Sequence, residues 1–486
     1  MRGPDIVSSK NPIYPFISMS QRLVVKFGGT SVGSASAMGQ AADIVRTLQG
    51  EGHQVAVVTS AMSGVTDALL SGASMAVSGK GGGLASVSDA LKAKHEKAAE
   101  ELGLSGTERA AVMEPIHARL SEFALLGDAL AVLGEASPRA MDAIGALGER
   151  MSIHLLAAAL RARGADAVPI EASTVVRTDA TFLAAVPDMT VTEKQAQATL
   201  IPLLTKGAVP VITGFIGATP EGVITTLGRG GSDYSGAIIG AALHADEVWI
   251  YTDVDGVMTA DPRIVQGVRT LDTLSYREMS ELAYFGAKVL HPKTVLPALE
   301  RGIPIRIRNT FNASHPGTLV LGKVDDGDRL LKGVTAIRSQ SLVTIEGRGM
   351  LGVPGIAARA FGAVARTGTS VSMISQASSE QSICFLVSSH AAATVVDALK
   401  HDFRHELERH DIESIWSLEN VVIITVVGGA IQETPGIAGR VFGAMGAAAI
   451  NVIAIAMGSS ECSISLVVAA ADADRSVRCL HELIDV

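Results

Sequence analysis

The segment QRLVVKFGGTSVG, residues 21–33, places an apolar run directly before two glycines and two hydroxyl residues. Such a run is typical of a buried strand, and the glycines predict a turn into the helix-like segment that follows. The segment QVAVVTSAMSG, residues 54–64, repeats this order, and residues 208–217 and 246–257 end apolar runs in similar loops. Strands followed by loops and helices predict a parallel sheet with ligands at the carboxyl ends of its strands. We therefore expect an α/β fold with a mainly parallel central sheet flanked by helices.

Composition narrows the classes of protein that this chain can belong to. Its 486 residues suggest two to four domains, and a 48% hydrophobic share with 4% aromatics predicts a core of Ala, Val, Leu and Ile. The net charge of −9, without a basic stripe, argues against a nucleic-acid partner. No apolar run approaches the roughly 18 residues of a membrane span, so no membrane association is expected. Three cysteines without CxxC spacing favour reduced core thiols in a cytoplasmic protein.

The region after about residue 320 contains an internal repeat. The segment from Leu342 recurs from Ile423 at an offset of 81 residues, and residues 352–387 share 16 of 36 positions with residues 433–468. Each copy has the order strand, glycine-proline loop, helix, strand, turn, strand and helix. This similarity exceeds chance and predicts a duplicated domain. The repeat could serve stability alone, but a regulatory pair is favoured because small-ligand sites form readily where two like domains meet.

The stretch TTLGRGGSDYSG, residues 225–236, is rich in glycine beside one arginine and one aspartate. It lacks the Gly-Lys pair of a Walker loop, and Asp233 stands where GxGxxG needs its third glycine. Taken alone, the stretch is compatible with either a tight structural corner or an anion site.

Four segments together resemble the aspartate kinases of the amino acid kinase family. They are VVKFGGTSV (24–32), GRGGSDYSG (228–236), TDVDGVMTADPR (252–263) and FGAKVLHP (285–292), and they occur in the family's order. The tandem copies resemble the ACT domains that follow this kinase in regulated members, each an α+β ferredoxin-like unit. The resemblance implies a lead-in over residues 1–20, a kinase domain over 21–320, and ACT domains over 335–415 and 416–486.

The resemblance implies transfer of a phosphoryl group from ATP, with Mg²⁺, to the side-chain carboxylate of L-aspartate. That carboxylate, with a reference pKa near about 4, is already ionised at neutral pH, so no general base is needed. By resemblance, Lys26 faces the transferred phosphoryl group, with the N–H groups of Gly28 and Gly29 beside it. Asp233 matches the acid that orients the catalytic lysine.

The remaining substrate residues also follow from the resemblance. Arg229 matches the arginine that binds the α-carboxylate of aspartate, for which a planar guanidinium is well suited. Glu149 matches the acid that binds the α-amino group. Ser60, Thr66 and Ser232 match hydroxyls of the same pocket.

The nucleotide side is implied by a second group of residues. Thr252, Asp253, Arg263 and Lys288 match positions that bind the nucleotide, with Arg263 and Lys288 at the polyphosphate. Met258 stands where many relatives have an aromatic residue, although its thioether can pack against adenine.

Three polar residues near these segments are interpreted as structural. Asp255 and Asp261 are expected to be turn and helix-cap acids rather than metal ligands. His291 is expected to be structural because the mechanism requires no imidazole, and the sequence predicts no protein-only metal site.

The ACT pair implies feedback inhibition by an end-product amino acid and assembly of a homo-oligomer through these domains. Gly355, Ile356, Ser372 and Gln376 are the candidate effector residues of the first copy, and Asn451 is the candidate of the second. Threonine and lysine both remain possible inhibitors, and the polar segment SQASSE slightly favours threonine.

The predicted function is therefore a cytoplasmic aspartate kinase at the first step toward lysine, threonine and methionine. Because the chain ends shortly after the second repeat, we expect no fused dehydrogenase. Two alternatives stay open: a kinase for glutamate or acetylglutamate, and an amino-acid-sensing protein with an inactive kinase domain.

Overall fold

The computed structural model describes residues 20–79, 82–286, 290, 292–324, 330–376, 381–429, 431, 434–458 and 462–484. The predicted lead-in, residues 1–20, lies outside this range except for Ser20. The strands of the described residues are β1 (Arg22–Phe27), β2 (Gln54–Thr59), β3 (Ala167–Ile170), β4 (Val209–Thr213), β5 (Ile216–Ala218), β6 (Ile224–Thr226), β7 (Glu247–Thr252), β8 (Thr273–Ser275), β9 (Ile305–Asn309), β10 (Thr318–Leu321), β11 (Gly333–Glu346), β12 (Met373–Gln376), β13 (Ser382–Ser388), β14 (Ser414–Val427), β15 (Ala454–Ala456) and β16 (Ser463–Ala469).

The α-helices of the same residues cover the two large sheets, and five of them, α2 to α6, follow one another between β2 and β3. They are α1 (Ala35–Gly50), α2 (Val65–Val77), α3 (Gly82–Glu101), α4 (Gly106–Leu133), α5 (Pro138–Gly145), α6 (Leu147–Arg161), α7 (Met189–Thr205), α8 (Gly231–Ala242), α9 (Tyr276–Tyr284), α10 (Leu296–Arg301), α11 (Ile356–Arg366), α12 (Ala392–Asp402), α13 (Arg404–Glu408), α14 (Ile437–Ala447) and α15 (Ala473–His481).

The first large sheet is mainly parallel, as predicted. Its strand order is β3-β4-β2-β1-β7-β9-β10-β8, and only the pairing of β10 with β9 is antiparallel. Alternate residues of β1 face opposite layers: Val25 and Phe27 join a core with α1, α4 and α6, whereas Val24 joins a core with α7 and α8. The carboxyl ends of six parallel strands therefore meet at one edge of a doubly covered sheet. The predicted α/β fold class is confirmed.

The segment Pro138–Arg161, which comprises α5 and α6, has the length and hydropathy of a membrane-spanning helix. However, 89% of its most apolar window is buried within the protein. It packs in the core beside α1, α2 and α4.

The repeated segments form one antiparallel sheet of order β12-β13-β11-β14-β16-β15. Its two long central strands are shared between the copies. The first part of β11 pairs from Gly333↔Val427 to Ile337↔Ile423, and the later part pairs from Leu342↔Leu418 to Glu346↔Ser414. The predicted boundary between residues 415 and 416 therefore falls inside β14.

Two residues in left-handed conformation mark the place where each long strand passes from one copy to the other. Ser339 and Asn420 both have φ of 58°, and their positions differ by the 81-residue offset of the repeat. The pairing between β11 and β14 is irregular at this place. The conformation costs free energy for residues other than glycine, and the surrounding ladder offsets it.

A buried ion pair joins the first part of the chain to the sheet of the repeated segments. Lys332, just before β11, contacts Glu278 of α9 at 2.9 Å, and both side chains are almost completely buried. A second Glu278 oxygen accepts the backbone N–H of Ser275 at 2.7 Å, which completes the capping box of α9. The carboxylate thus stabilises both a helix end and the connection between the two parts.

Substitution of Lys332 by methionine should destabilise this junction. The loss would leave the Glu278 carboxylate buried without its cation, which typically costs about 3–5 kcal/mol. Thermal unfolding of the Lys332→Met protein should therefore begin at a distinctly lower temperature than that of the unsubstituted chain. Lys323→Met, at an exposed position two residues after β10, is the matched control; equal shifts for both variants would contradict the role of this ion pair.

Candidate active site

Lys26 is the central charged group at the carboxyl edge of the parallel sheet. It lies on β1, between β2 and β7, and its side chain is 8% exposed. The side chain projects toward α8, where a Cβ on Gly236 would lie 3.3 Å from the Cβ of Lys26. Glycine at this position therefore lets the helix pack directly against the lysine stem.

Asp233 pairs with Lys26 from the first turn of α8. Their ammonium and carboxylate groups form an ion pair, in which the Asp233 side chain is 18% exposed. α8 begins after Gly230, which has φ of 71°, and no side chain caps the helix. The positive end of the helix dipole is thus directed to the same place as the lysine. The predicted proximity of Lys26 and Asp233 is present in the structure.

Glu149 lies in the first turn of α6 and is almost completely buried. Burial raises its pKa to about 8, against the opposing effects of backbone hydrogen bonds from Ala61 and Glu149 itself and of the Lys26 charge. Within the described part of the chain, its Oε2 atom has no hydrogen-bond partner. A buried carboxyl group with one unsatisfied oxygen is suited to bind a cationic ligand group.

Two of the predicted hydroxyl residues, Ser60 and Thr66, lie in segments that contact α6, the helix that carries this acid. The backbone of Ser60 is held by its N–H, which donates to the Phe27 carbonyl at 3.1 Å, and by its carbonyl, which accepts from the Ser152 hydroxyl at 2.6 Å. A Cβ on Gly148, next to Glu149, would lie 3.5 Å from the Thr66 hydroxyl oxygen.

Two further predicted residues come from the glycine-rich stretch. Ser232 packs against Gly214 after β4, where an added Cβ would lie 2.9 Å from the Cβ of Ser232. Arg229 is exposed, in the turn before α8. The structure therefore places Ser60, Glu149 and Ser232 on the β2 side of Lys26, and the side chain of Arg229 is exposed.

The resemblance implies that the backbone N–H groups of Gly28 and Gly29 lie beside the transferred phosphoryl group, but the N–H of Gly28 is used within the fold. The N–H of Gly28 donates to the Tyr251 carbonyl of β7 at 3.2 Å, so it ties β1 to its neighbour instead of facing a ligand. Gly29 approaches the loop after β2, where an added Cβ would lie 3.3 Å from the Ala61 carbonyl oxygen. Close backbone packing thus constrains Gly29, whereas a Cβ on Gly28 would make only ordinary contacts, at 3.4 Å or more.

The candidate nucleotide residues lie on the other side of Lys26. Thr252 ends β7, and its hydroxyl donates to Asp253 at 3.1 Å. Met258 and Arg263 line a cavity of about 450 Å³, although the exposed Arg263 guanidinium is paired with Asp261 at 2.6 Å. The other two predictions for this region, Lys288 and His291, lie outside the described residues.

Asp255 and Asp261 both have structural partners. Asp255 accepts from the side-chain amides of Asn309 at 2.8 Å and Asn312 at 3.0 Å, and Asp261 accepts from the backbone N–H of Arg263 at 2.9 Å. No group of three or more acids, histidines or cysteines within the described ranges could hold a metal ion by itself.

The candidate effector residues are only partly brought together. Gly355, Ile356 and Gln376 line a cavity of about 310 Å³ in the first repeat. The Ser372 hydroxyl donates instead to the Gln340 side chain at 3.2 Å, and Asn451 is exposed in the second repeat.

Sequence reasoning missed Asp142 of α5. Its side chain is fully buried, and burial raises its pKa although hydrogen bonds from Thr226 and Leu183 oppose the shift. The residue stands in the Ala-rich helical segment PRAMDAIG, where nothing in the local pattern distinguishes it from a solvated helix acid. Only the hydrogen bonds to distant segments reveal its role.

The stability of the ligand-free protein should depend on pH through Glu149. Between about pH 4.5, the ordinary pKa, and about pH 8, the folded state retains a proton that the unfolded chain releases. The free energy of unfolding should therefore fall as pH rises through this window. Denaturant titrations across the window should show a shallower fall for Glu149→Gln, whereas the exposed Glu135→Gln control should follow the unsubstituted protein. Identical slopes for all three would contradict the raised pKa.

Comparison with known proteins identifies two protein families in this chain. The model of the amino acid kinase family matches residues 21–309, and that of the ACT domain matches residues 343–403 and 424–483. Lysine-sensitive aspartokinase 3 of Escherichia coli is 33% identical over 467 residues, which cover 95% of this chain and 99% of that protein.

Two further similarities extend this comparison. Bifunctional aspartokinase/homoserine dehydrogenase 1 of Arabidopsis thaliana is 38% identical over 94% of this chain, which spans about half (50%) of that relative's length. The crystal structure of E. coli aspartokinase III with aspartate and ADP superposes with a TM-score of 0.78 at 32% identity, covering 95% of this chain and 99% of that one.

Proposed function

Since the chain belongs to the amino acid kinase family and, within it, to the aspartokinases, we propose that it phosphorylates L-aspartate. The γ-phosphoryl group of ATP is transferred to the side-chain carboxylate, which gives 4-phospho-L-aspartate and ADP. The observation that carries the proposal is the buried Lys26–Asp233 ion pair beside the unsatisfied acid Glu149. This arrangement offers a cation to a phosphoryl group and an acid to an ammonium group.

In this proposal, aspartate is bound through its two α substituents. Glu149 receives the ammonium group, which stabilises the ionised carboxylate and releases the proton that the empty site holds. Arg229 binds the α-carboxylate from the rim, where a planar guanidinium can donate two hydrogen bonds. Ser60, Thr66 and Ser232 supply hydroxyls between these groups.

Lys26 acts on the phosphoryl group. Phosphoryl transfer depends on positioning and on neutralising charge at the equatorial oxygens, and the acceptor carboxylate needs no base. Asp233 holds the ammonium group in place before the substrates bind. The uncapped amino end of α8 adds a favourable field for an anion.

The nucleotide is placed along β7 and the segment after it. ATP supplies the phosphoryl group, and Mg²⁺ is expected to be held mainly by its phosphates, as is usual for this ion. Thr252, Asp253 and Met258 are proposed for the nucleoside side. Arg263 is proposed at the phosphates, which would require its ion pair with Asp261 to open, and Lys288 is proposed beside it by resemblance.

The first repeat is proposed to bind an inhibitory amino acid. α11 begins after Gly355 without a side-chain cap, so its first N–H groups can receive a carboxylate. Gln376 provides a polar group in the same cavity, whereas the equivalent position of the second repeat is Met457. Lysine and threonine are the candidate inhibitors, and Ser372 and Asn451 are secondary candidates because neither lines the cavity.

Three properties of the protein complete the proposal. The enzyme acts at the entry to lysine, threonine and methionine synthesis, it is cytoplasmic, and it forms a homo-oligomer through its ACT domains.

Coupled ADP-release assays with aspartate, glutamate and acetylglutamate test the substrate. We expect turnover with aspartate alone. Preference for glutamate or acetylglutamate would favour another kinase of the same family. Absence of turnover with all three, together with binding of lysine or threonine, would favour an amino-acid sensor with an inactive kinase domain.

Lys26→Met should lower kcat by about 100- to 1,000-fold, the usual cost of removing one group that stabilises transition-state charge. Steady-state kinetics at saturating aspartate and ATP measure this effect. Lys92→Met, whose side chain is 52% exposed on α3, is the control. A Lys26→Met enzyme with the unsubstituted kcat would show that the catalytic centre lies elsewhere.

Gln376→Met should weaken inhibition, because it replaces the polar side chain in the cavity of the first repeat by the methionine that the second repeat has at the equivalent position, Met457. We expect the half-maximal inhibitory concentration of lysine or threonine to rise by about tenfold, which corresponds to loss of one hydrogen bond, while uninhibited turnover stays unchanged. The reciprocal Met457→Gln is the matched control. If neither amino acid inhibits the unsubstituted enzyme at millimolar concentration, the feedback proposal is wrong.

A further inference from the structure

Asp142 connects three separate segments through one buried carboxylate. The backbone N–H of Leu183 donates to both of its oxygens at 3.1 Å. The backbone N–H of Thr226 donates to Oδ2 at 3.0 Å, and the Thr226 hydroxyl donates to Oδ1 at 2.5 Å. A fully buried carboxylate with this set of donors fixes its neighbours strongly, because an unsatisfied buried polar group is costly.

The segment that Asp142 holds leads directly to Arg229. Thr226 ends β6, and Gly228 and Gly230, with φ of 76° and 71°, flank the arginine. Glycine residues have large conformational freedom. This freedom must be restricted if the Arg229 side chain is to be held in one position for its ligand. No ion pair or hydrogen bond to the described residues holds the guanidinium itself. The loop is therefore fixed at its ends, by Asp142 before it and by α8 after it.

The contact with Leu183 strengthens this restriction. A Cβ on Gly228 would lie 2.9 Å from the Leu183 carbonyl oxygen, and the N–H of Ala185 donates to the Thr226 carbonyl at 2.9 Å. The segment around Leu183 thus lies across the glycine turn. Asp142 holds this covering segment and the turn with the same side chain.

Asp142 also lies close along the chain to Glu149, the residue that is proposed to bind the α-ammonium group of aspartate. It lies on α5, and α6, which carries Glu149, begins two residues after α5 ends. We propose that Asp142 is a positioning residue that sets Arg229 relative to Glu149, and thereby sets the spacing between the groups that bind the α-carboxylate and the α-ammonium of aspartate. This inference rests on the proposed function, because it assigns those two substrate groups to Glu149 and Arg229.

Steady-state kinetics of Asp142→Asn test the proposal. Asparagine keeps the size of the side chain, but its amide nitrogen cannot accept the hydrogen bonds that Leu183 and Thr226 donate to a carboxylate oxygen. We expect KM for aspartate to rise by about tenfold or more, with KM for ATP and kcat at saturation within about twofold. Equal changes in both KM values, or none, would overturn the proposal.

Two further comparisons separate positioning from general loss of structure. Thr226→Val, which removes one donor, should raise KM for aspartate, whereas Thr226→Ser, which keeps the hydroxyl, should not. These two variants decide the question if Asp142→Asn fails to fold; equal KM values for them would then overturn the proposal.

A double-mutant cycle isolates the action through Arg229. In an Arg229→Ala background, Asp142→Asn should change KM for aspartate far less than in the unsubstituted enzyme, because the group that it positions is already absent. Additive effects of the two substitutions on KM would overturn the role of Asp142 but would leave the proposed function unaffected. Absence of aspartate-dependent ADP release from the unsubstituted chain would instead overturn the proposed function, and this inference with it.

Discussion

The buried charge of Lys26 is the constraint on which the active site depends. An ammonium group that is largely removed from water is tolerated only with a compensating anion, and Asp233 supplies it from the end of α8. Glu149 is then left without a full counter-charge, and burial raises its pKa to about 8. The site therefore combines a paired cation, Lys26, with a nearly neutral acid, Glu149. An anionic group of a ligand can bind to the first, and a cationic group can bind to the second.

The sheet explains why these groups meet. Lys26 is the penultimate residue of β1, while Glu149 and Asp233 belong to the first turns of α6 and α8, which pack on opposite faces of the sheet. Both first turns lie at the carboxyl edge of the parallel strands, beside Lys26 of β1 and the loop after β2. Small residues then allow close approach, as Gly236 does beside the lysine stem and Gly148 beside the loop after β2. The catalytic geometry is thus a consequence of backbone packing as much as of the charged residues.

The sequence predicted the parallel sheet and the repeated regulatory unit because both leave strong local patterns. The apolar run before Gly28 indicates a buried strand, and the 81-residue offset indicates a duplication. It could not predict that β11 and β14 are shared between the copies, since that depends on pairing between distant residues. Asp142 was missed for the same reason: its donors are 41 and 84 positions away along the chain. The pairing of Arg263 with Asp261 depends on rotamers, which residue types do not specify.

Similar long-range contacts join the regulatory part directly to the segment that is proposed to bind the nucleotide. Thr259 follows Met258, and its carbonyl accepts the N–H of Val334 in β11 at 2.9 Å. Its hydroxyl is within 2.8 Å of His481 Nε2, at the end of α15, and both residues are buried. A shift of the second repeat cannot leave Thr259 in place without breaking buried hydrogen bonds, each of which costs about 1–3 kcal/mol when a partner is lost. Movement of the second repeat would therefore be transmitted to the residue next to Met258, whereas Asp142 holds the start of the turn that carries Arg229 within the kinase part. On the proposed assignment of Met258 to the nucleotide and Arg229 to aspartate, the two substrates would be subject to different structural controls.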